Sequence, residues 1–307
     1  MSGDLIIDVQ GISKSFYGKK VVDNVNLQVN KGDIYGFLGP NGSGKTTTIR
    51  MLCGLLEIDS GEGTCLGFNL RTHGMHIKQK VGYMTQRFSL YGDLTIEENL
   101  DFIARLFGVK NRKEKVQRII DQLEIGQERK KQLAGNLSGG WKQRLALGAA
   151  TIHEPELLLL DEPTAGVDPK ARRDFWDEIF RLSNRGITTL VSTHYMDEAE
   201  RCNKLAYIAY GKLLVNGTCQ EVIKSVGLQT WVVTGKNLSA LSKLLEQEPL
   251  VEQVSAFGLD LHVSAKEQDD LASLINANKN GYQWKKIKPS LEDVFIHLMQ
   301  HNQDNFS

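Results

Sequence analysis

The stretch Gly39–Thr47, with the sequence GPNGSGKTT, decides the fold of this chain. It matches the pattern G-x-x-x-x-G-K-[ST] in full, whose glycines let the backbone curl until successive N–H groups point at phosphate oxygens. The apolar run Ile34–Leu38 before it predicts a buried strand, and residues 45–55 after it are typical of a helix. Because a helix N-terminus favours anions, the sequence predicts a phosphate-binding loop at this junction.

Within this stretch, which we call the phosphate loop (residues 39–47), each side chain that carries chemistry has an expected role. Lys45 can reach the β- and γ-phosphates of a nucleotide, and the Thr46 hydroxyl can bind Mg²⁺. The alternative, a chance glycine turn, is disfavoured by the strand and the helix on either side. The predicted ligand-binding residues of the loop are Gly39, Pro40, Asn41, Gly42, Ser43, Gly44, Lys45, Thr46 and Thr47.

A second apolar strand, LLLLDEP at residues 157–163, ends on two carboxylates. Asp161 is predicted to hold Mg²⁺, directly or through water, and Glu162 to polarise the attacking water. Phosphoryl transfer needs mostly positioning and charge, so one well-placed carboxylate suffices as a base. By itself such a pair is an ordinary strand end; beside a complete phosphate loop it indicates a nucleotide hydrolase.

Composition and charge limit the class of protein. The 307 residues exceed a typical single domain, and 41% of them are hydrophobic, which predicts one large domain with a real core plus a small one. Lys and Arg together number 37, as do Asp and Glu, so the formal net charge is zero. A protein held on nucleic acid by bulk charge normally carries a basic excess, so no nucleic-acid partner is expected.

The cysteines and the apolar runs indicate a protein of the reducing cytosol. No two of Cys53, Cys65, Cys202 and Cys219 have the spacing of a metal pair. The N-terminal MSGDLIIDVQ lacks the charged and apolar regions of a signal peptide. No apolar run approaches the ~20 residues that span a bilayer. If the protein works at a membrane, another chain is expected to cross it.

The pattern along the chain predicts the remaining elements. Residues 5–35 alternate as short strands with turns at Gly18 and Gly32, and residues 95–150 are mostly helical, beginning with the capping box of Thr95 and Glu98. Further signals are Asp168-Pro169 as a helix start, strands at Thr188–Ser192 and Leu205–Tyr210, and Thr218 with Glu221 as another helix cap.

After about Gly227 the order restarts as strand, helix, strand, strand, helix, strand over residues 229–287, which is the ferredoxin-like pattern. The predicted domains are therefore residues 1–226, with a helical subdomain at about 88–150, and residues 227–307. The fold class is α/β: a P-loop NTPase core of the ABC ATPase type with a helical subdomain, plus a small C-terminal α+β domain. The C-terminal domain is expected to be regulatory or accessory.

Taken together, these motifs resemble the ATP-binding subunits of ABC transporters over roughly residues 5–220. The resemblance implies ATP and Mg²⁺ as cofactors and assigns roles to matching positions. Tyr17 of SKSFYGKK matches the aromatic residue that stacks on adenine, with Phe16 as the competitor, and either could instead belong to the core. Gln86 of VGYMTQ matches the glutamine that senses Mg²⁺ and nucleotide. Asp168 of AGVD matches the acid of the loop after Asp161, and His194 of VSTHYMDEA matches the switch histidine.

The segment Leu137-Ser138-Gly139-Gly140-Trp141 matches the family signature, usually Leu-Ser-Gly-Gly-Gln, except at its fifth position. Ser138 is a favourable N-cap residue, and the N–H groups that follow, including those of Gly139 and Gly140, can hold a γ-phosphate through backbone alone. In the family this signature faces the phosphate loop of a second subunit, which implies a homodimer with ATP sandwiched between two chains. Trp141 can anchor that interface or pack locally in the helical region.

The segment TQRFSLYGDLTIEENL and the C-terminal PSLEDVFIHLM resemble the branch of multidrug and lipid-type exporters whose membrane permeases are separate chains. The resemblance implies a peripheral protein on the cytoplasmic face of the membrane, powering efflux of a hydrophobic substrate. Phe88, Leu90 and Tyr91 can line the groove that receives the permease or fold back on the core. The alternative, an ABC-type ATPase not coupled to transport, usually has two cassettes or long coiled coils, which this chain lacks. A regulator without catalysis is disfavoured by Glu162 and His194.

Overall fold

The computed structural model describes residues 4–301. Residues 1–3 and 302–307, which the sequence analysis assigned to the outer ends of the two domains, lie outside the described residues. The chain divides into two compact units between Leu213 and Leu214. Across the described residues, none of the helices is both long enough and apolar enough to cross a bilayer.

The first unit contains an antiparallel sheet, a mostly parallel sheet and seven helices among the described residues. In chain order its elements are β1 (Leu5–Phe16), β2 (Lys19–Asn30), β3 (Ile34–Leu38), α1 (Lys45–Leu52), β4 (Ser60–Cys65), β5 (Phe68–Asn69), α2 (Gly74–Lys80), β6 (Val81–Met84), α3 (Ile96–Leu106), α4 (Arg112–Gln122), α5 (Gly139–Thr151), β7 (Leu157–Asp161), α6 (Pro169–Asn184), β8 (Thr188–Thr193), α7 (Met196–Ala199) and β9 (Lys204–Ala209). Strand β10 (Lys212–Gly217) begins in this unit, and the division between the units falls within it. Short 3₁₀ turns at Arg129–Lys131 and Ala134–Asn136 precede α5.

The central sheet has the strand order β10-β9-β3-β8-β7-β6. The pairs β9–β3, β3–β8, β8–β7 and β7–β6 are parallel. Strand β7 shows why this sheet is buried on both faces: Leu157 and Leu159 join the cluster shared with α1, whereas Leu158 and Leu160 join the cluster shared with α5 and α6. Alternate residues of a strand point to opposite faces, so an uninterrupted leucine run fits a strand covered on both sides.

The antiparallel sheet has the order β2-β1-β4-β5, and its apolar face packs into the cluster that also contains Phe37 of β3 and Ile49 of α1. The predicted strands and turns in residues 5–35 are therefore present. The sequence did not predict β4, β5, β6, β10, α2 or α7, because their short or glycine-rich sequences carry weak periodic signals.

A third cluster unites α3, α4 and α5 as the predicted helical subdomain. The capping box of Thr95 and Glu98 is present at the start of α3, and Asp168 caps α6 with Pro169 at its first position. These caps were readable because the hydrogen bonds they use are local in sequence.

The second unit contains α8 (Cys219–Ser225), β11 (Leu228–Gly235), α9 (Leu238–Leu245), β12 (Gln253–Phe257), β13 (Asp260–Lys266), α10 (Ala272–Ala277), β14 (Tyr282–Ile287) and α11 (Leu291–Gln300). Its antiparallel sheet has the order β12-β13-β11-β14, and β11 to β14 with α9 and α10 follow the βαββαβ order expected from the sequence. The second helix of this order, which the sequence predicts over residues 267–277, is shorter and begins at Ala272.

The division at Leu213 lies before the boundary at 226/227 that the sequence indicated. Helix α8, with the expected capping box of Thr218 and Glu221, packs against α11 at the far end of the same unit. That contact joins residues about seventy positions apart, so no local signal marks it. The sequence analysis did not assign α11 as a helix.

Candidate nucleotide-binding site

Parallel strands of the central sheet bring the predicted site residues to one edge. Strand β3 ends at Leu38 before the phosphate loop, β7 ends at Asp161, and β8 ends at Thr193 directly before His194. Strand β6 ends at Met84, two residues before Gln86. The carboxyl ends of parallel strands share one edge of a sheet, which is where ligands bind in open α/β folds.

The Lys45 side chain lies inside the phosphate loop and is only 4% exposed. Its Nζ donates to the carbonyl oxygens of Gly39 at 2.7 Å and Pro40 at 3.0 Å, and lies 3.2 Å from Oε1 of Glu162. Burial lowers the pKa of Lys45, while the attraction of Glu162 and Asp161 acts against that shift. The ammonium group is thus held at the place where a phosphate chain would meet the loop.

The loop requires glycine at two positions. Gly44 has φ of 103°, and a Cβ there would lie 2.7 Å from the Val21 carbonyl oxygen. A Cβ on Gly39 would lie 2.0 Å from the carbonyl oxygen of Ile208. Only glycine fits such conformations and approaches without strain.

The other residues of the phosphate loop differ in their exposure to solvent. Asn41 and Gly42 are exposed, Pro40 and Thr47 are half-buried, and Ser43 is buried with its Oγ lacking a hydrogen-bond partner among the described residues. Buried hydroxyls are rarely left unsatisfied, so the Ser43 hydroxyl is suited to receive a ligand oxygen.

Asp161 sits between two hydroxyl groups. Thr46 Oγ1 donates to Asp161 Oδ1 at 3.1 Å, and Ser192 Oγ donates to the same oxygen at 2.8 Å. Ser192 also accepts a hydrogen bond from the Glu162 amide at 2.9 Å. Ser192 therefore holds both carboxylate residues in place, and the sequence did not predict this role. The available signal was a serine in a predicted buried strand, two residues before His194.

Glu162 connects three of the predicted residues. Its Oε2 accepts from Gln86 Nε2 at 3.0 Å and lies 3.4 Å from His194 Nδ1, and its Oε1 faces Lys45. The contact with His194 is not a hydrogen bond, because its Nδ1 atom has no hydrogen-bond partner among the described residues. In catalytic sites such contacts are often loose until the ligand is present.

The backbone of Glu162 is strained, with φ of 46° in the left-handed region. For a residue with a Cβ this conformation costs roughly 1–2 kcal/mol and persists where surrounding contacts determine it. Here the amide bond to Ser192 and the side-chain contacts with Lys45 and Gln86 supply those constraints. The turn aims the carboxylate back toward the phosphate loop.

A buried acid behind the site was also missed. Glu198 is fully buried, and its two carboxylate oxygens accept hydrogen bonds from Thr164 and Thr193. Thr164 belongs to the loop that follows Glu162, and Thr193 precedes His194. Glu198 therefore ties these two segments together, with Arg172 Nε 3.7 Å away.

Tyr17, the aromatic residue that the family resemblance places against adenine, is accessible to a ligand. Tyr17 is fully exposed at the turn between β1 and β2, with φ of 51°, so it does not belong to the core. Phe16 is partly exposed, with Lys14 Nζ 5.9 Å from its ring centre. The start of β2 lies beside the phosphate loop through the close approach of Val21 to Gly44.

The signature turn (Leu137–Trp141) lies apart from this hydrogen-bonded cluster. Ser138 takes the N-cap position of α5, but its side chain makes no capping hydrogen bond, unlike the usual N-cap serine. Ser138 and Gly139 are exposed, and Gly140 packs so closely on the start of α6 that a Cβ would lie 2.7 Å from Ala171 Cβ. Asp168 caps α6 through Ala171 and does not reach the phosphate loop by any hydrogen bond of the described residues.

Trp141 packs locally. Its half-buried indole lies against the apolar cluster of α3, α4 and α5. The guanidinium carbons of Arg129 and Arg144 lie 4.4 and 5.1 Å from its ring centre. Arg144 is itself held by Asp174 at 2.8 Å. Local packing, one of the two roles left open by the sequence, is therefore present within the single chain, with two cations over the ring.

The segment after Gln86 contributes unequally to a groove between the central sheet and the helical subdomain. Leu90 lines an apolar cavity of about 320 Å³ together with Leu55, Ile103, Phe107, Ala149 and His153. Phe88 packs on the helical cluster, and Tyr91 is exposed with its ring edge-on to Phe102 at 5.3 Å. Of Phe88, Leu90 and Tyr91, Leu90 alone lines this cavity.

Comparison with known proteins gives the same family. Residues 22–165 match the family model described as ABC transporter. The chain is 43% identical over 226 residues to the probable multidrug ABC transporter ATP-binding protein YbhF of Escherichia coli (strain K12), a match covering 72% of this chain and 38% of that protein. The chain therefore spans well under half the length of that relative.

A second relative matches along its whole length. The Nod factor export ATP-binding protein I of Rhizobium sp. (strain N33) is 36% identical over 296 residues, covering 95% of this chain and 96% of that protein. Among solved structures, an ATP-binding subunit of an ABC transporter superposes with a TM-score of 0.66 at 26% identity, covering 72% of this chain and 93% of the other. The ADP conformation of another ABC cassette gives 0.64 at 29% identity over 72% and 94%.

These matches agree with the phosphate loop, the carboxylates on β7 and the signature turn in one α/β cassette. The chain belongs to the ABC transporter family, as one of its ATP-binding proteins.

Proposed function

We propose that this chain hydrolyses ATP and powers an exporter whose membrane permease is a separate chain. The observation that carries the proposal is the cluster at the phosphate loop, in which Lys45 contacts Glu162 and Thr46 donates a hydrogen bond to Asp161. Full-length similarity to an export ATP-binding protein supports the export direction. Substrate contacts would lie in the permease, so we propose only the class of multidrug or other hydrophobic efflux.

The residues present fit a bound Mg²⁺ ion, which prefers oxygen ligands and keeps several waters. The Thr46 hydroxyl and the Asp161 carboxylate lie side by side, and Gln86 uses its amide nitrogen on Glu162, which leaves its amide oxygen for the ion. Such an ion would neutralise phosphate charge. Ser192 keeps Asp161 oriented for that role.

For hydrolysis, we assign Glu162 as the residue that orients and deprotonates the attacking water. Its carboxylate is directed by the strained backbone and by Gln86. His194 lies 3.4 Å from Glu162 Oε2, and its ring is tilted against that of Tyr195 with the ring centres 4.1 Å apart. It would help to position the γ-phosphate and the attacking water. Lys45 would leave the loop carbonyls for the phosphates, and Tyr17 would stack on adenine.

We further propose that two copies sandwich ATP. Within one chain, Ser138 and Gly139 are exposed and take no part in the hydrogen bonds around Lys45, Asp161 and Glu162. The N–H groups of the signature turn are therefore accessible to a ligand held by another chain. These N–H groups would hold the γ-phosphate at the phosphate loop of the second copy, and Asp168 would lie at the same junction.

The apolar groove lined by Leu90 is the proposed docking place for the permease, which would put this chain at the cytoplasmic face of a membrane as a peripheral subunit. The proposal is tested by purifying the tagged chain from detergent-solubilised membranes of its own cells. A stoichiometric integral-membrane protein should co-purify. Recovery of active ATPase with no membrane protein would favour the alternative of an ATPase not coupled to transport.

A charge placed in the groove should separate coupling from hydrolysis. Leu90→Glu puts a carboxylate among apolar side chains, where an unpaired charge is costly, so permease co-purification should fall by about tenfold or more. ATP affinity of the purified chain should stay within a few-fold of the parent, which also reports that the variant is folded. The matched control is Tyr91→Glu, at an exposed neighbour outside the cavity. Equal loss in both variants, or in neither, would contradict the groove assignment.

The domain boundary leads to a separate expectation. A chain ending at Val226 should still bind ATP with near-parental affinity, because the predicted site residues all lie at or before His194. It would also expose Val222, which is fully buried in α8 in the full chain, so it should aggregate more readily than a chain ending at Gly217. Nucleotide titration of both soluble, folded proteins decides the matter. If neither binds ATP, the C-terminal unit contributes to the site.

A further inference from the structure

We propose that Glu252, His297 and His301 form a binding site for a divalent transition-metal ion of the Zn²⁺ class. All three belong to the C-terminal unit. One ligand atom from each, two imidazole nitrogens and one carboxylate oxygen, lies within 4.8 Å of the others. The site is separate from the phosphate loop, and the inference is independent of the proposed function.

The two histidines lie four residues apart on and just after α11, so they share one face of the helical turn. Their rings are tilted against each other, with centres 4.1 Å apart. Glu252 comes from the segment immediately before β12, and its amide is fixed by a 2.9 Å hydrogen bond to the Ser264 carbonyl oxygen on β13. The three ligands therefore come from two segments, both held by the unit's regular structure.

Hydrogen bonding fixes which nitrogen of His301 is available. Its Nδ1 lies 2.9 Å from the carbonyl oxygen of His297, and since a carbonyl only accepts, Nδ1 carries the proton. In the neutral ring Nε2 then presents a lone pair, and it lies 3.3 Å from Oε2 of Glu252. Two acceptors at this distance repel unless a metal ion lies between them or the ring carries a second proton.

The second histidine completes the arrangement. His297 is largely buried, and its Nδ1 has no hydrogen-bond partner among the described residues while lying 3.9 Å from the same Glu252 oxygen. In a tetrahedral site with ligand bonds of about 2.1 Å, ligand atoms lie about 3.4 Å apart. The observed 3.3 and 3.9 Å separations are close to that spacing.

The second carboxylate oxygen of Glu252 is paired with Lys266. Lys266 Nζ lies 3.2 Å from Oε1 of Glu252, so it orients the carboxylate and leaves Oε2 to the histidines. Two imidazoles and one carboxylate favour Zn²⁺, Ni²⁺ or Cu²⁺ over Mg²⁺ or Ca²⁺, and water would supply the fourth ligand. A bound ion would fasten α11 to the strand segment before β12 and so stabilise the C-terminal unit.

The test uses the full chain, stripped of metal by chelation and free of nucleotide. Titration calorimetry with ZnCl₂ should show one tight site, and Zn²⁺ should raise the temperature of thermal unfolding. Co²⁺ should give the visible absorption of a tetrahedral complex. His301→Gln and Glu252→Gln should each weaken Zn²⁺ binding by more than about tenfold, the smallest loss expected even for residues that only support a ligand.

The matched control is His76→Gln on α2, which removes one histidine of an exposed pair with His73, the residue just before that helix. That pair has ring centres 5.5 Å apart and forms no three-ligand group with a carboxylate among the described residues. The control should keep parental Zn²⁺ affinity and the Co²⁺ spectrum. A parent chain without the tight site, or ligand variants that bind as the parent does, would overturn the proposal and leave the cluster as an ion pair of Glu252 with protonated histidine.

Discussion

Replacing Lys45 with alanine should abolish productive ATP binding and with it ATPase activity. The ammonium group is the cation that directly contacts both the loop carbonyls and Glu162, and hydrogen bonds from a charged donor contribute about 1.5–3 kcal/mol each. Its removal also leaves the Asp161 and Glu162 carboxylates less compensated opposite a triphosphate. Both effects weaken ATP binding, so we expect a loss of at least a hundredfold, about 2.7 kcal/mol or more.

A second substitution at Lys45 separates the effect of charge from that of packing, and a surface lysine serves as the control. Lys45→Met keeps an unbranched stem in a position that is 4% exposed, and it should lose ATP as completely as Lys45→Ala does. Lys31→Ala removes a surface lysine whose pair with Glu156 is exposed, and it should bind ATP normally. Fluorescence titration measures ATP binding, and phosphate release measures ATP hydrolysis. ATPase activity within a few-fold of the parent in either Lys45 variant would rule out the assignment of the phosphate loop.

Local signals explain most of what the sequence predicted correctly. The capping boxes at Thr95 and Thr218, the cap at Asp168 and the loop at residues 39–47 each depend on contacts within a few residues. The buried leucine run of β7 was readable because both faces of the central sheet are covered. The family follows from the same features, since its motifs lie in order on these elements.

Contacts between segments that are far apart along the chain could not be predicted from the sequence. Ser192 holds Asp161 across neighbouring strands 31 positions apart, and Glu198 joins the hydroxyls of Thr164 and Thr193. Nothing local distinguishes these polar residues from other buried serines, threonines and glutamates. The contact of the Arg129 guanidinium with the Trp141 ring likewise joins residues twelve positions apart, one on a 3₁₀ turn and one on α5.

The largest effect expected on assembly is ATP-driven dimerisation of Glu162→Gln. An amide cannot act as a base, and loss of a general base costs about 10²–10⁴ in rate, so bound ATP should persist. The substitution leaves Asp161 and its contacts with Thr46 and Ser192 intact, and glutamine keeps the shape of the side chain. In Mg-ATP this variant should scatter light as a dimer, and without nucleotide as a monomer. A protein that binds Mg-ATP and stays monomeric would count against the two-chain site.

The signature turn is then tested in that background. Adding Ser138→Arg should block the dimer, because a long cation on this exposed residue would fill the space of the γ-phosphate that the backbone donors hold. Adding Trp141→Gln should preserve the dimer, because those donors stay in place while the indole faces the helical cluster between two arginines. It should lower the unfolding temperature instead, since a half-buried aromatic ring and its cation contacts are lost. If Trp141→Gln binds nucleotide but no longer dimerises, the indole is itself an anchor of the interface, and backbone donors alone do not suffice.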